Sequence, residues 1–247
     1  MIIVEIGLNH LGSVDDAKKI FLALVKTDVD AITFQVREDK FYINPQFSKM
    51  KLPLVVYETC LKIAKDNDKK FGITLSNTGL IKYFDKLSVD FYKILSKDLE
   101  DISFLKTFAN KTKKDVYLST GLASISSISS AIDVFKRKNV KLIHTSLSHD
   151  PSDANLRAIQ VMKDNFKNEI AYGHHSSDRT LLYAAQAFCP SDTFFYVKPS
   201  DSKKYPDCKH AIKLSSVNNY IFHINNIKTA LGTGLKIKSK NKIEGQS

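Results

Sequence analysis

A single (β/α)8 TIM barrel is the fold class this sequence predicts, on three observations. Eight short β-rich runs alternate with longer amphipathic stretches. The pattern fits within 247 residues, the size such barrels take. The runs are apolar almost throughout, as parallel strands covered on both faces are, and no GxGxxG or phosphate-loop turn marks an open nucleotide-binding sheet.

The elements follow in order. The first strand is Ile2–Gly7, and Ser13 is placed to cap a helix over Val14–Lys26. After the strand Ala31–Val36, residues 37–53 read as an ordered insertion, followed by a helix over Leu54–Asp66. Phe71–Ser76 leads to the short helix Leu80–Leu87, Phe91–Leu95 to Ile102–Asn110, and Val116–Thr120 to Ser127–Lys138. Lys141–Ser146 precedes Ala154–Asn165, and Glu169–His175 precedes Arg179–Phe188. Thr193–Lys198 is joined by a long loop, 199–215, to Val217–Leu231, and Gly232 stands where a helix-ending glycine belongs. Residues 1–236 therefore read as one barrel, and 237–247 as a basic tail expected to be disordered.

Composition narrows the function classes. With 43% hydrophobic and 26% charged residues the chain is globular rather than disordered. No apolar run reaches the roughly 18–20 residues of a membrane helix, and the strand-like start is too short for a signal peptide. Cys60, Cys189 and Cys208 are widely spaced, with no CxxC pair, which fits reduced thiols in a cytoplasmic protein. The net charge of +11 is carried mostly by scattered lysines; the dense run Lys236, Lys238, Lys240, Lys242 lies in the tail. Arginine, the residue of bidentate base contacts, is scarce, so the pattern speaks against nucleic acid and for an anionic small molecule.

Barrel chemistry sits at the C-terminal ends of the strands. Those ends carry Glu5, Asn9 and His10; Gln35 and Arg37; Lys93, Ser96 and Asp98; Ser119 and Thr120; His144, Ser146, His149 and Asp150; His174, His175, Ser176 and Asp178; and Lys198. Five of the seven histidines fall on this face. Each has a plain structural reading beside the functional one. Glu5 inside an apolar strand suits a paired structural carboxylate, and Lys93 suits an ammonium snorkelling to the rim. The adjacent rings of His174 and His175 cannot both point inward from one strand. Ser176, Ser177 and Asp178 suit a helix cap. Taken jointly, a rim rich in cations, hydroxyls and imidazoles fits a phosphorylated anionic substrate.

The segments VEIGLNHLGS, DAITFQ, DFYKILSKDL, VYLSTGLAS, LIHTS…DANLRAI and ALGTGLK resemble, in the same order, the barrel of the N-acetylneuraminate (sialic acid) synthase family from residue 2 to about 236. The resemblance implies condensation of phosphoenolpyruvate with the open-chain aldehyde of an N-acetylated hexosamine, releasing phosphate, with a divalent metal (Mn or Mg) polarising the aldehyde. It implies that Lys93, Ser96 and Ser119 hold the phosphate and carboxylate of phosphoenolpyruvate. Glu5 would be a sugar-hydroxyl or proton-transfer group, and Asn9, His10, Gln35 and Ser146 would shape the same rim. Asp98 would be the acidic catalytic residue after the fourth strand.

The chain departs from the family pattern at Thr33, where a lysine is expected, and at Lys198, where a metal-ligand histidine is expected. The seventh-strand Ser-Asp-His-Thr element is altered to His174-His175-Ser176-Ser177-Asp178, and the sixth strand to Leu147 and His149. The sequence stops where the family continues into an antifreeze-like domain, so the resemblance implies a homodimer or a separate protein carrying that domain. Several readings stay open. One is a metal-dependent synthase with His149, His174 or His175 as ligands. A second is a synthase in which catalytic Lys198 supplies the positive charge. A third is a non-catalytic barrel acting as a binding or partner protein. The last is a Schiff-base aldolase using Lys93 or Lys198.

Overall fold

The computed structural model describes residues 1–136 and 139–235. Eight parallel strands follow one another around a closed barrel: β1 (Ile2–Gly7), β2 (Ala31–Val36), β3 (Lys70–Leu75), β4 (Phe91–Ile94), β5 (Asp115–Ser119), β6 (Val140–Thr145), β7 (Ile170–Gly173) and β8 (Thr193–Lys198). Each pairs with the next, and β1 pairs with β8 to close the ring. The predicted TIM barrel is thus observed, and a two-residue strand β9 (Ile212–Lys213) adds to β8 outside it. The helices between are α1 (Val14–Leu24), α2 (Asp39–Ile43), α3 (Leu54–Asp66), α4 (Ile81–Leu87), α5 (Ile102–Lys111), α6 (Ile125–Phe135), α7 (Ala158–Asn165), α8 (Leu181–Ala184) and α9 (Val217–Leu231). No described helix is long and apolar enough to cross a membrane. Residues 236–247, with the four lysines of the basic run, lie outside the described residues.

Strand alternation sorts the side chains. Ile2, Val4 and Ile6 of β1, with Ile32 and Phe34 of β2, join the outer core against the helices. Helix α1 meets that core through Ala17, Ile20, Phe21 and Leu24, one apolar stripe at helical spacing. Ser13 caps it by accepting from the Asp16 amide at 3.1 Å, as its position predicts. Helix α7 begins four residues later than expected, because Pro151–Asp153 form a 3-10 turn and Asn155 turns the chain at φ +40°.

The other parity fills the barrel. Ile3, Ala31, Phe91, Tyr117, Ile143, Ala171 and Phe194 form an inner layer. The Tyr117 ring stands edge-on to Phe91 at 5.2 Å and to Phe194 at 5.0 Å. Gly72 of β3 makes room for this layer: a Cβ there would lie 2.3 Å from the Phe91 ring. The layer is a floor under the C-terminal mouth.

The 37–53 insertion is ordered, as expected. It contains α2 and a 3-10 turn at Ser48–Met50, and Phe41 stacks on Phe47 at 4.4 Å while Arg37 lies 4.0 Å over Phe41. It packs on the β1–α1 loop at Gly12, whose φ is +80° and whose Cβ would fall 1.7 Å from the Lys49 carbonyl oxygen. Gly12→Ala therefore meets both a left-handed backbone and a backbone clash. We expect it to cost about 1–3 kcal/mol, read as a lowered unfolding midpoint with early proteolysis in 44–52.

Candidate active site

Above the aromatic floor the inward positions turn polar. Glu5 on β1 and Lys93 on β4 meet there. Lys93 Nζ donates to both Glu5 oxygens at 2.7 Å, with the side chains 4% and 3% exposed. The ammonium also lies 5.2 Å over the Phe194 ring and 5.7 Å over Tyr196. The Tyr196 phenol, buried and hydrogen-bonded to Glu5, is held well above the usual range by burial first and by the Glu5 and Asp207 charges second. Around the pair, the Thr33 and Thr74 hydroxyls are buried without partners. Ser119 is 3% exposed on the same parity. An ion pair this deep is expensive to desolvate and is held here by two short hydrogen bonds.

The rim of the mouth is built from strand ends. Ser96 Oγ accepts from the Gly121 amide at 3.0 Å, tying the β4 and β5 loops together. Asp98 accepts from Ser76 at 2.7 Å and pairs with Lys97, which reaches Glu38 at 3.4 Å. Gln35 is half-buried one pleat beyond Thr33. Ser146 Oγ accepts from the Ser148 amide at 3.2 Å, and its carbonyl faces His175 Nδ1 at 3.1 Å.

Asn9 acts as a clasp. Its Nδ2 donates to the Val197 carbonyl at 2.7 Å and its Oδ1 accepts from the Asp207 amide at 3.1 Å. The clasp draws the 199–211 loop onto the end of β1, where the Asp207 carboxyl lies over Gly7. Burial and the Glu5 charge push the Asp207 carboxyl up to about 7, against the opposing pull of Lys93 and the Leu8 amide. His10 takes another direction. Its Nδ1 accepts from Gly12 at 2.9 Å and its ring sits 6.3 Å from Phe34, a residue of the outer core. The left-handed turn at Leu11 and Gly12 carries it away from the rim position expected of it.

The histidines expected to ligate a metal are divided by the sheet. His174 shares its parity with Tyr172, an outer-core residue, and its Nδ1 lies 3.2 Å from the Tyr172 hydroxyl. His175 faces inward instead, 5.4 Å from the Tyr196 ring, with Nδ1 3.0 Å from Thr145 Oγ1. His149 Nδ1 contacts the His175 carbonyl at 2.8 Å. A third ring, His210, closes on both, 5.1 Å from His149 and 4.8 Å from His175, with neither nitrogen partnered. Among the described residues no three His, Cys, Asp or Glu side chains are arranged to hold a metal ion. The expected set of His149, His174 and His175 is thus corrected: alternation along β7 puts one ring on each side of the sheet.

Lys198 is also diverted. It is the last residue of β8, and its ammonium is taken up by Asp201 at 2.8 Å and the Cys208 carbonyl at 3.0 Å. It lines a pocket with Arg179, Lys213 and Tyr220 instead of joining the Glu5–Lys93 pair. Lys93, in turn, is held by the Glu5 carboxylate. The buried interior of the mouth, among the described residues, therefore presents the Lys93 cation, the neighbouring Glu5 and Asp207 carboxyl groups and several hydroxyls. That set can bind an anion and move a proton. Asp207, His210 and Tyr196 were not singled out in the sequence; the long loop after the eighth strand was, but nothing in its residues marks which of them reach inward.

The NeuB family description matches residues 20–236. The chain belongs to the NeuB family. It is 26% identical, over 98% of its length and 80% of the relative's, to the N,N'-diacetyllegionaminic acid synthase of Campylobacter jejuni. It is 33% identical, over 71% of its length and 55% of the other's, to an uncharacterized protein of Methanocaldococcus jannaschii. The crystal structure of N-acetylneuraminic acid (sialic acid) synthetase from Leptospira borgpetersenii in complex with citrate superposes with a TM-score of 0.89 at 24% identity, covering 97% of this chain and 87% of that one. The NeuB fold thus extends over the whole described barrel, with the Glu5–Lys93 pair at its C-terminal mouth.

Proposed function

We propose that this NeuB barrel condenses phosphoenolpyruvate with the aldehyde of an N-acylated aldose, releasing phosphate and giving a nonulosonic acid. The observation that carries the reading is the buried Glu5–Lys93 pair ringed by Ser96, Ser119, Thr33 and Thr74. On phosphate binding Lys93 exchanges Glu5 for the incoming anion, and the hydroxyls supply directional donors. Asp98, hydrogen-bonded to Ser76 at the rim, serves the proton of the attacking water. Residues 1–236 carry this chemistry. The chain works in the cytoplasm.

Among the described residues no group of His, Cys, Asp or Glu side chains fits a resident metal, so no step is routed through one. The test is titration calorimetry of the purified protein with phosphoenolpyruvate, with and without Mn. We expect saturable binding that Mn leaves unchanged within about threefold, a difference of about 0.6 kcal/mol. Binding strengthened tenfold by Mn would point to rearranged histidines; no binding in either condition would sink the synthase reading. Binding without phosphate release, across N-acylated hexosamines, would favour the non-catalytic barrel.

A further inference from the structure

We propose that Asp207, on the loop after β8, is the proton donor to the aldehyde oxygen of the second substrate, and that phosphoenolpyruvate binding loads it with that proton. The inference rests on the synthase reading above and goes beyond it.

Lys93 is paired directly with Glu5, and its charge also reaches the Asp207 carboxyl. Lys93 answers Glu5 with two short hydrogen bonds. The Asp207 carboxyl lies over Gly7, with its side chain 23% exposed. Its position is fixed rather than incidental. The Asn9 carboxamide holds its backbone N–H, and Gly7, at φ +58°, leaves the space its carboxyl fills. The groups facing it are Glu5 and the Leu8 amide on the β1 side, Lys93 on β4, Tyr196 on β8, and His210 on its own loop, with Nε2 3.9 Å from Oδ1. Burial and Glu5 already keep its proton to about pH 7.

An anion arriving at Lys93 changes this balance. The ammonium that screened the carboxyl pair now faces phosphate, and further negative charge enters a site of low polarisability. Asp207 then holds its proton to higher pH. In the reaction, C3 of phosphoenolpyruvate forms a bond to the aldehyde carbon, the C=O π pair moves to oxygen, and that oxygen takes the Asp207 proton. Water adds to C2 and gives up a proton to Asp98, which releases it to solvent, and Asp207 is reprotonated from solvent before the next turnover. The C2–O bond to phosphate then breaks, and the hydroxyl proton leaves with the phosphate. Atoms and charges balance without an oxidant or reductant.

The test has two readouts. Calorimetry of phosphoenolpyruvate binding at pH 8, in buffers of different ionisation enthalpy, should show uptake of roughly one proton by the wild type. Asp207→Asn should bind phosphoenolpyruvate with little uptake and release phosphate about 10²–10⁴-fold more slowly. Asp207→Glu should recover part of the rate and keep the fall of turnover at high pH that the asparagine variant loses. Wild-type binding without proton uptake, uptake unchanged in Asp207→Asn, or turnover in that variant within tenfold of the wild type would each overturn the proposal while leaving the synthase reading standing. Failure of the wild type to bind phosphoenolpyruvate at all would overturn both.

Discussion

Lys93→Ala is expected to abolish phosphoenolpyruvate binding and to destabilise the barrel at once. Removing the ammonium deletes the cation of the proposed phosphate site, a loss of about 2–5 kcal/mol in affinity for a desolvated charge contact. It also strands Glu5, 2% exposed, without its partner. Breaking a buried ion pair from one side costs about 3–5 kcal/mol of folding stability. The two effects separate in the double variant Glu5→Gln, Lys93→Met. There the uncompensated charge is gone, so most of the stability should return while binding stays lost. Calorimetry and denaturant unfolding on the three proteins decide the matter. Unchanged affinity in Lys93→Ala would place the phosphate elsewhere.

Acid should unfold this protein early, and histidines should be the cause. Burial holds His10 and His174 down to about 4, His175 to about 3 and His210 to about 2, the last two helped by neighbouring positive or imidazole groups. In the unfolded chain all four return to about 6.5. Below that value the unfolded state binds protons that the folded state refuses, so stability falls as pH drops from about 6.5 toward 4. Each buried ring contributes about 1 kcal/mol of loss between pH 6.5 and 5.5, about 4 kcal/mol together, and the raised Asp207 carboxyl returns about 1 kcal/mol of it, leaving about 3. Set against a total of about 5–15 kcal/mol, that is a large share. Unfolding free energies measured at pH 7.5, 6.5 and 5.5 should show the loss, and His210→Gln should flatten the curve by roughly one third. A pH-independent midpoint over that range would mean that these rings titrate normally in the folded state.

The barrel was legible because parallel strands buried on both faces leave short apolar runs that nothing else in a chain of this composition produces. Glu5 and Lys93 were legible for the same reason: a charge inside such a run must be answered, and parity puts both on the inner face. Alternation foretold that only one of His174 and His175 could face inward, but not which one. That depends on where β7 starts, and a one-residue register error exchanges the two. Lys198 was misleading because it ends its strand, where the following loop, through Asp201 and the Cys208 carbonyl, decides its direction. Asp207 lies 200 residues from Gly7 at the β1 end it packs against, and His210 sits far in sequence from the His149 and His175 rings it meets. The Asn9 clasp that brings them there is a three-dimensional contact with no local signature.

Gly72 and Phe91 carry a consequence for how this barrel can change over generations. The ring of one occupies the space that any side chain on the other would need. The two positions are therefore a single heritable unit. A larger residue at 72 is viable only in a lineage that has already shortened 91, and shortening 91 first opens a void beneath Lys93. The path between the two states passes through a weakened ancestor. The floor of the mouth should drift far more slowly than the loops above it.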